Sequence, residues 1–256
     1  MQTSLILHFA KQDIIDKYKG SILGVLWNII MPLTMILIFT FIFSSIMGAR
    51  LSGFKEQPYA YGIYLISGIL FWNLFANIAQ RVANVLSEKK GLIKKNRIEL
   101  ETLPIYIIIS ETIIFIISLF IFAIFLVYIH YPIDLNWLLL LPVYALTILL
   151  AYIVGFSVAI FSVFIKDIKE MLTVILQVWF WATPIVYVVD ILPKSIGSYY
   201  QLNPMYWVVQ ASHNIILYHE SIYWESLLLI VGISSILLLV LVKVSRKLEK
   251  DIRDFI

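Results

Sequence analysis

Cysteine is absent from all 256 residues, so neither a disulfide nor a thiolate metal site can form. Charge is scarce as well. Charged residues make up 14% of the chain against 61% hydrophobic, and the mean hydropathy is +0.93, a balance that excludes a soluble globular protein. The chain has no G-x-x-x-x-G-K-[ST] run, so it is not expected to hold ATP through a phosphate-binding loop. The four histidines, His8, His130, His213 and His219, do not reach ligand spacing beside carboxylates, and no metal or other cofactor is expected on this chain. A signal-peptide pattern is also missing, because a charged amphipathic segment precedes the first long apolar run. The first span is therefore expected to stay in the mature protein. Internal repetition and paired broken helices are lacking, which argues against a secondary transporter. One enzyme reading pairs Ser157 as nucleophile with His213 as base. It fails on placement, since Ser157 falls in mid-span and His213 in an external connection, whereas the two groups need hydrogen-bond reach.

What the chain does contain is a series of apolar runs of about 20 residues, each enough for a hydrocarbon core of about 30 Å. They place six spans at 23–47, 61–86, 104–129, 138–165, 171–189 and 222–243. Basic residues sort by loop. Lys11, Lys17 and Lys19 precede the first span, and Arg81, Lys89, Lys90, Lys94, Lys95 and Arg97 gather around the second loop. Lys166 and Lys169 occupy the fourth loop, while Lys243, Arg246, Lys247, Lys250 and Arg253 lie in a tail at 244–256 or at its border. These are sixteen of the 19 lysines and arginines; only Arg50, Lys55 and Lys194 are left for the opposite side. By the positive-inside rule both termini are expected to be cytoplasmic.

Residues 1–20 read as an interface helix with Leu7, Ala10, Ile14 and Tyr18 on one face. In the second span Asn73, Asn77, Arg81 and Asn84 form a polar stripe that must face other helices or a wet cavity. Glu111 sits about two turns into the third span. It is either an intramembrane carboxylate paired with a Lys or Arg, or a shallow group reaching the headgroups. Residues His130 to Asp134 form a short external turn, with Trp137 as an interfacial anchor. Ala151, Gly155 and Ala159 recur every four residues, which is a face for close helix packing. Residues 190–221 make an external connection in which Asn203 is a good N-cap and Pro204 suits the first helical position. The apolar run after Pro204 is too short to cross, so a re-entrant or interfacial hairpin is expected.

The run KDI at 166–168, FWATPIVY at 180–187, LP at 192–193 and NPM at 203–205 resembles the membrane subunits of type-2 ABC exporters, especially those that export O-antigen, capsule and teichoic-acid chains. A second match is Tyr18-Lys19-Gly20-Ser21-Ile22-Leu23-Gly24-Val25-Leu26-Trp27, preceded by Lys17 and followed by Pro32. Where such subunits often carry Arg-Asp before the fifth span, this chain has Lys166-Asp167. The resemblance implies an all-α integral membrane protein of six transmembrane helices, forming one domain over 1–256 in the bacterial inner membrane. It also implies a cytoplasmic coupling helix within 87–101 that is offered to a separate ATPase, and short helices at 190–221 that dip back from the outer face. The partners it implies are a second copy of the chain, two nucleotide-binding subunits carrying ATP and Mg, and a polysaccharide on a polyprenyl-pyrophosphate carrier. Nucleic acid has no place among them.

These considerations single out three groups of residues. Channel-lining candidates are Phe39 and Phe43 in the first span, Trp72, Asn73, Phe75 and Asn77 in the second, and Thr173, Gln177, Trp181 and Tyr187 in the fifth. Aromatic rings offer sugar faces a stacking track of low specificity, as they do for bases. The competing reading is an aromatic belt with interhelical hydrogen bonds. Glu88, Lys89, Lys90, Gly91, Lys94 and Lys95 are ATPase-coupling candidates, although a solvated basic loop drawn to anionic lipid explains their charge equally well. Arg81, Lys89 and Lys90 are candidates for attracting a pyrophosphate. A small-molecule or lipid exporter of the same superfamily is the alternative to a polysaccharide exporter, and a membrane-embedded enzyme the more distant one.

Overall fold

The protein is described by a computed structural model covering residues 2–17, 19–40, 59–95, 98–189 and 199–256. Among the described residues all regular structure is helical. Helix α1 spans Gln2–Lys17, α2 Trp27–Ile38, α3 Ala60–Glu88, α4 Lys90–Lys95, α5 Ile105–Tyr128 and α6 Leu140–Ser162. Helix α7 follows at Ile168–Trp181, α8 at Pro204–His213 and α9 at Trp224–Phe255. Among the described residues four helices are long and apolar enough to cross a membrane: α3, α5, α6 with its leading 3-10 turn, and α9. A shorter apolar helix, α2, joins them.

The bundle is built around α3. Its most apolar stretch is 83% buried, against 22% for the corresponding stretch of α9, which puts α3 at the centre and α9 at the rim. The most extensive contact of the fold joins α3 to α6. There Ala151 and Ala159 are fully buried, and a Cβ added at Gly155 would lie 2.6 Å from the Ala79 carbonyl oxygen and 2.8 Å from Val82 Cβ. Small residues let two backbones meet, and in an apolar solvent that packing drives association. The face expected from the four-residue spacing is the face used.

Two helix ends show how the chain turns. After α5, His130 adopts φ 58° while its N–H donates to Val127 and that of Tyr131 to Leu126, a Schellman closure of the last turn. The Tyr131 hydroxyl then donates to the Leu217 carbonyl, and burial, reinforced by Asp134, pushes that phenol up to about 12. At the start of α8, Asn203 Oδ1 accepts from Met205 N–H at 3.0 Å with Pro204 in the first turn, the cap that the sequence indicates.

The structure departs from the expected spans in two places, and in α1 it shows which side is buried. Helix α7 stops at Trp181 instead of running to 189, because Pro184 has no N–H for the Phe180 carbonyl; Thr183 N–H takes that acceptor in a tighter turn. Fourteen residues reach about 21 Å, short of the hydrocarbon thickness. Helix α9 runs unbroken to Phe255, so residues 244–255 continue the last apolar helix. In α1 the buried side is Ile6, Phe9, Ala10 and Asp13, which packs on α5; Leu7 is 57% exposed, and Tyr18 lies outside the described residues.

Substituting Gly155→Val is expected to force α3 and α6 apart and to lower the thermal midpoint of the detergent-purified protein, at a cost of roughly 1–3 kcal/mol. Gly232 has nothing within 4 Å of a built Cβ, so Gly232→Ala should be neutral or gain up to about 1 kcal/mol of helix propensity. Equal midpoints for the two variants would contradict the close approach.

Candidate functional site

Helix α3 is covered on most sides but open along one polar strip. Asn77 and Gln80 are exposed and Asn73 is half-buried, between the flanks supplied by α2 and α7. On the α7 flank, a cavity of about 370 Å³ is lined by Trp72, Gln80, Thr173, Gln177, Phe180 and Trp181. Gln80 Nε2 donates to Thr173 Oγ1 at 3.0 Å, and Trp181 is 64% exposed. Behind this lining Trp72 packs edge-on against Phe180 and Trp179, with centroids 5.6 and 6.4 Å apart, and Phe75 meets Trp179 at 5.1 Å. Edge-to-face contacts of this kind hold the rings in fixed orientations. On the α2 flank, a cavity of about 540 Å³ includes Trp27, Met35, Asn73, Asn77 and Glu111.

Beyond Trp181 the backbone is irregular yet well bonded. The Tyr61 hydroxyl donates to the Val186 carbonyl at 2.6 Å, and the Tyr64 hydroxyl shares its proton between the carbonyls of Pro184 and Tyr187 at 3.1 and 2.9 Å. Asn203 ties this exit to α8. Its Oδ1 accepts from Trp179 Nε1 at 2.8 Å, and its Nδ2 donates to Thr183 Oγ1 at 2.9 Å. Helix α8 is too short to cross and lies inside the bundle, with Val208 fully buried and Val209 1% exposed. His213 is fully buried, its ring stacked on Tyr64 at 3.8 Å and its Nε2 3.0 Å from the Tyr64 carbonyl. That carbonyl can only accept, which fixes Nε2 as the donor and leaves the lone pair on Nδ1. Beyond Tyr187 the aromatic run continues through Tyr200, Tyr206, Trp207 and Tyr223. A cavity of about 430 Å³ opens beside it, between Trp179, Tyr199, Tyr200 and Asn203.

A charge cluster joins α1, α3 and α5. Arg81 Nη1 lies 2.6 Å from Glu111 Oε1, Arg81 Nη2 lies 2.5 Å from Asp13 Oδ1, and Lys17 Nζ stands 3.4 Å from Glu111. Glu111 is only 2% exposed, so it does not reach out to headgroups. The Arg81 fork spans carboxylates from two other helices, a geometry that lysine could not reproduce. The four formal charges cancel.

The remaining selected residues fall in several places. Phe39 packs against the core instead of a cavity, and Phe43 lies outside the described residues. Phe75 is fully buried behind Trp72, because its position on α3 faces the α7 packing seam; it lines none of these cavities. Tyr187 is held by its own bonds, donating to the Trp181 carbonyl and meeting the Tyr200 hydroxyl at 3.2 Å. Arg81 is engaged by two carboxylates, and Lys89 stands 5.3 Å above the Tyr106 ring and 5.5 Å above Phe9. Glu88, Lys90, Gly91, Lys94 and Lys95 are exposed. Sequence reasoning missed Tyr61, Tyr64, Asp13 and the bridging role of Asn203. Their partners stand between 20 and 125 residues away, and no local spacing signals them.

Several apolar helices, an irregular but internally satisfied exit and an open amide-and-aromatic strip define a polytopic membrane protein of the transporter type. The profile of the ABC-2 type transporter family matches residues 4–217, and the chain belongs to that family. Among curated proteins it is similar to the O-antigen export system permease protein RfbA of Myxococcus xanthus, 25% identical over 243 residues covering 91% of this chain and 88% of that one. It is similar to RfbA of Klebsiella pneumoniae at 24% over 202 residues, 78% of this chain and 75% of the relative. The polysialic acid transport protein KpsM of Escherichia coli is 24% identical over 202 residues, 76% and 74% of the two chains.

Removing Arg81 leaves the carboxylates of Asp13 and Glu111 with only Lys17 beside them. Arg81→Ala is expected to cost about 3 kcal/mol, and the double variant Arg81→Leu with Glu111→Leu less than either truncation alone. Chemical denaturation in detergent measures both; an additive double variant would show that the pair is not coupled. In the exit network, Asn203→Asp keeps the cap acceptor and should retain more stability than Asn203→Ala, which loses about 1 kcal/mol from the cap alone.

Proposed function

We propose that this chain is the membrane-channel subunit of an ATP-driven exporter that moves a polyprenyl-pyrophosphate-linked polysaccharide out of the cytoplasm. One observation carries the reading. Among the described residues Asn77, Gln80 and Gln177 stand uncovered on apolar helices beside exposed Trp181. Amide side chains do not face lipid without cost, so the strip calls for a wet pathway or a second copy of the chain. Rings interleaved with amides are suited to a sugar chain, whose C–H faces stack while its hydroxyls exchange hydrogen bonds. The names of the curated relatives, O-antigen export and polysialic acid transport, support the same substrate class.

In this reading six spans per copy pair into a homodimer in the inner membrane, with α2 and α7 as the two short spans beside the pathway. The end of the bundle that carries Lys17, Arg81, α4, Lys169 and Arg253 is cytoplasmic, in keeping with its positive charge. Exposed Lys90, Gly91, Lys94 and Lys95 meet one of two ATPase subunits there. The Asn203-tied hairpin closes the outer end, and ATP binding opens it. A pyrophosphate is drawn by Lys90 and its neighbours in preference to Arg81, whose charge is already met by Asp13 and Glu111.

Depletion of the protein is expected to remove polysaccharide from the cell surface and to accumulate carrier-linked chains inside, read by fractionating surface and lipid-linked glycan. Gln177→Leu with Trp181→Ala should lower export about tenfold or more at unchanged membrane abundance, through the lost stacking and amide contacts. Unchanged surface glycan after depletion would discard the polysaccharide assignment.

A further inference from the structure

Helix α4, Lys90–Lys95, has six residues, too few to be stable on propensity alone, and its last carbonyls need donors from elsewhere. One guanidinium supplies two of them for this segment. Arg253 Nη1 donates to the Ile93 carbonyl at 2.7 Å, and Arg253 Nη2 to the Ile98 carbonyl at 2.7 Å. Glu249, one turn earlier on α9, orients the fork by accepting from Nε at 3.0 Å and from Nη2 at 2.8 Å. Beneath these bonds Ile93 is 1% exposed and Ile252 fully buried, so both backbones are seated in the core. Two residues beyond Arg253, Phe255 packs edge-on against Phe164 in the connection between α6 and α7, with centroids 5.4 Å apart. The end of α9 thus braces both connections at the basic end of the bundle.

We propose that Arg253 is a positioning residue for α4: it locks α4 and the Ile98 carbonyl to the end of α9, so that a push on α4 is delivered to α9. The identity of what pushes, the partner ATPase, rests on the exporter reading; the lock itself does not. Arginine is required because its planar fork reaches two carbonyls at once, whereas lysine presents a single rotating ammonium. Hydrogen bonds from a charged donor are also roughly twice as strong as neutral ones, which suits a joint that must carry load.

The absence of native cysteine allows a direct test with spin labels at Glu99→Cys and Lys250→Cys, one on each side of the lock, in the full chain reconstituted into lipid nanodiscs. With Arg253 present, and the labelled chain diluted with unlabelled chain so that only pairs within one copy are read, a single narrow distance is expected. Arg253→Ala, and the milder Arg253→Lys should the first fail to fold, is expected to broaden it at least twofold. Export of surface glycan per molecule of membrane-inserted protein should fall about tenfold, the order expected from losing charge-assisted hydrogen bonds. A purely structural role would lower abundance without changing export per molecule. An unchanged distance overturns the lock, and a broadened distance with unchanged export per molecule overturns the positioning role. If depletion of the unaltered protein leaves surface glycan intact, the exporter reading fails on its own, and the label distances still decide the lock.

Discussion

In a hydrocarbon environment every backbone carbonyl must find a donor within the protein, and in this fold that requirement is most acute where α7 stops. Pro184 ends the helix and leaves carbonyls that α7 itself cannot satisfy. The donors come from α3, through the hydroxyls of Tyr61 and Tyr64. This is why α3 must be central and why it must approach α8 closely: a Cβ at Gly68 would lie 3.0 Å from His213 Nε2. Tyr64 therefore has two tasks. Its hydroxyl holds the α7 exit and its carbonyl receives His213, so the exit and the hairpin are set by one residue.

The same central helix organises what lies at the opposite end. One face of α3 packs against α6 through small residues, and another carries amides left exposed among the described residues. Apolar packing and polar exposure on one helix are not in conflict. The first fixes the helix in place, and the second can then be presented at a constant depth and angle. The ring cluster of Trp72, Phe75, Trp179 and Phe180 has a comparable function behind the strip, because it orients α7 so that Gln177 and Trp181 face outward.

Features encoded within a few residues were legible in the sequence. The four-residue spacing of Ala151, Gly155 and Ala159 and the Asn203-Pro204 start of α8 are local patterns with local causes. The membrane class and the ABC-2 family were legible too, from composition and from motifs of contiguous residues. Features that depend on distant partners were not. Arg81 lies 68 residues from Asp13 and 30 from Glu111, so its neutralisation could not be read from the polar stripe in which it sits. The inward placement of Asp13 on α1 was not legible for a related reason. Asp13 is held inward by Arg81, and a purely apolar pattern counts that position as solvent-facing. Helix length in α7 was overestimated because the apolar run continues past Trp181, while the backbone hydrogen-bond pattern does not.

The charge cluster of Asp13, Lys17, Arg81 and Glu111 has an electrical consequence. An isolated arginine carried across a membrane works with or against the resting potential, by about 2.3 kcal/mol for each 100 mV. A unit of two cations and two anions that moves together transports no net charge and does almost no such work. The joint between α1, α3 and α5 can therefore shift without responding to the voltage across the membrane.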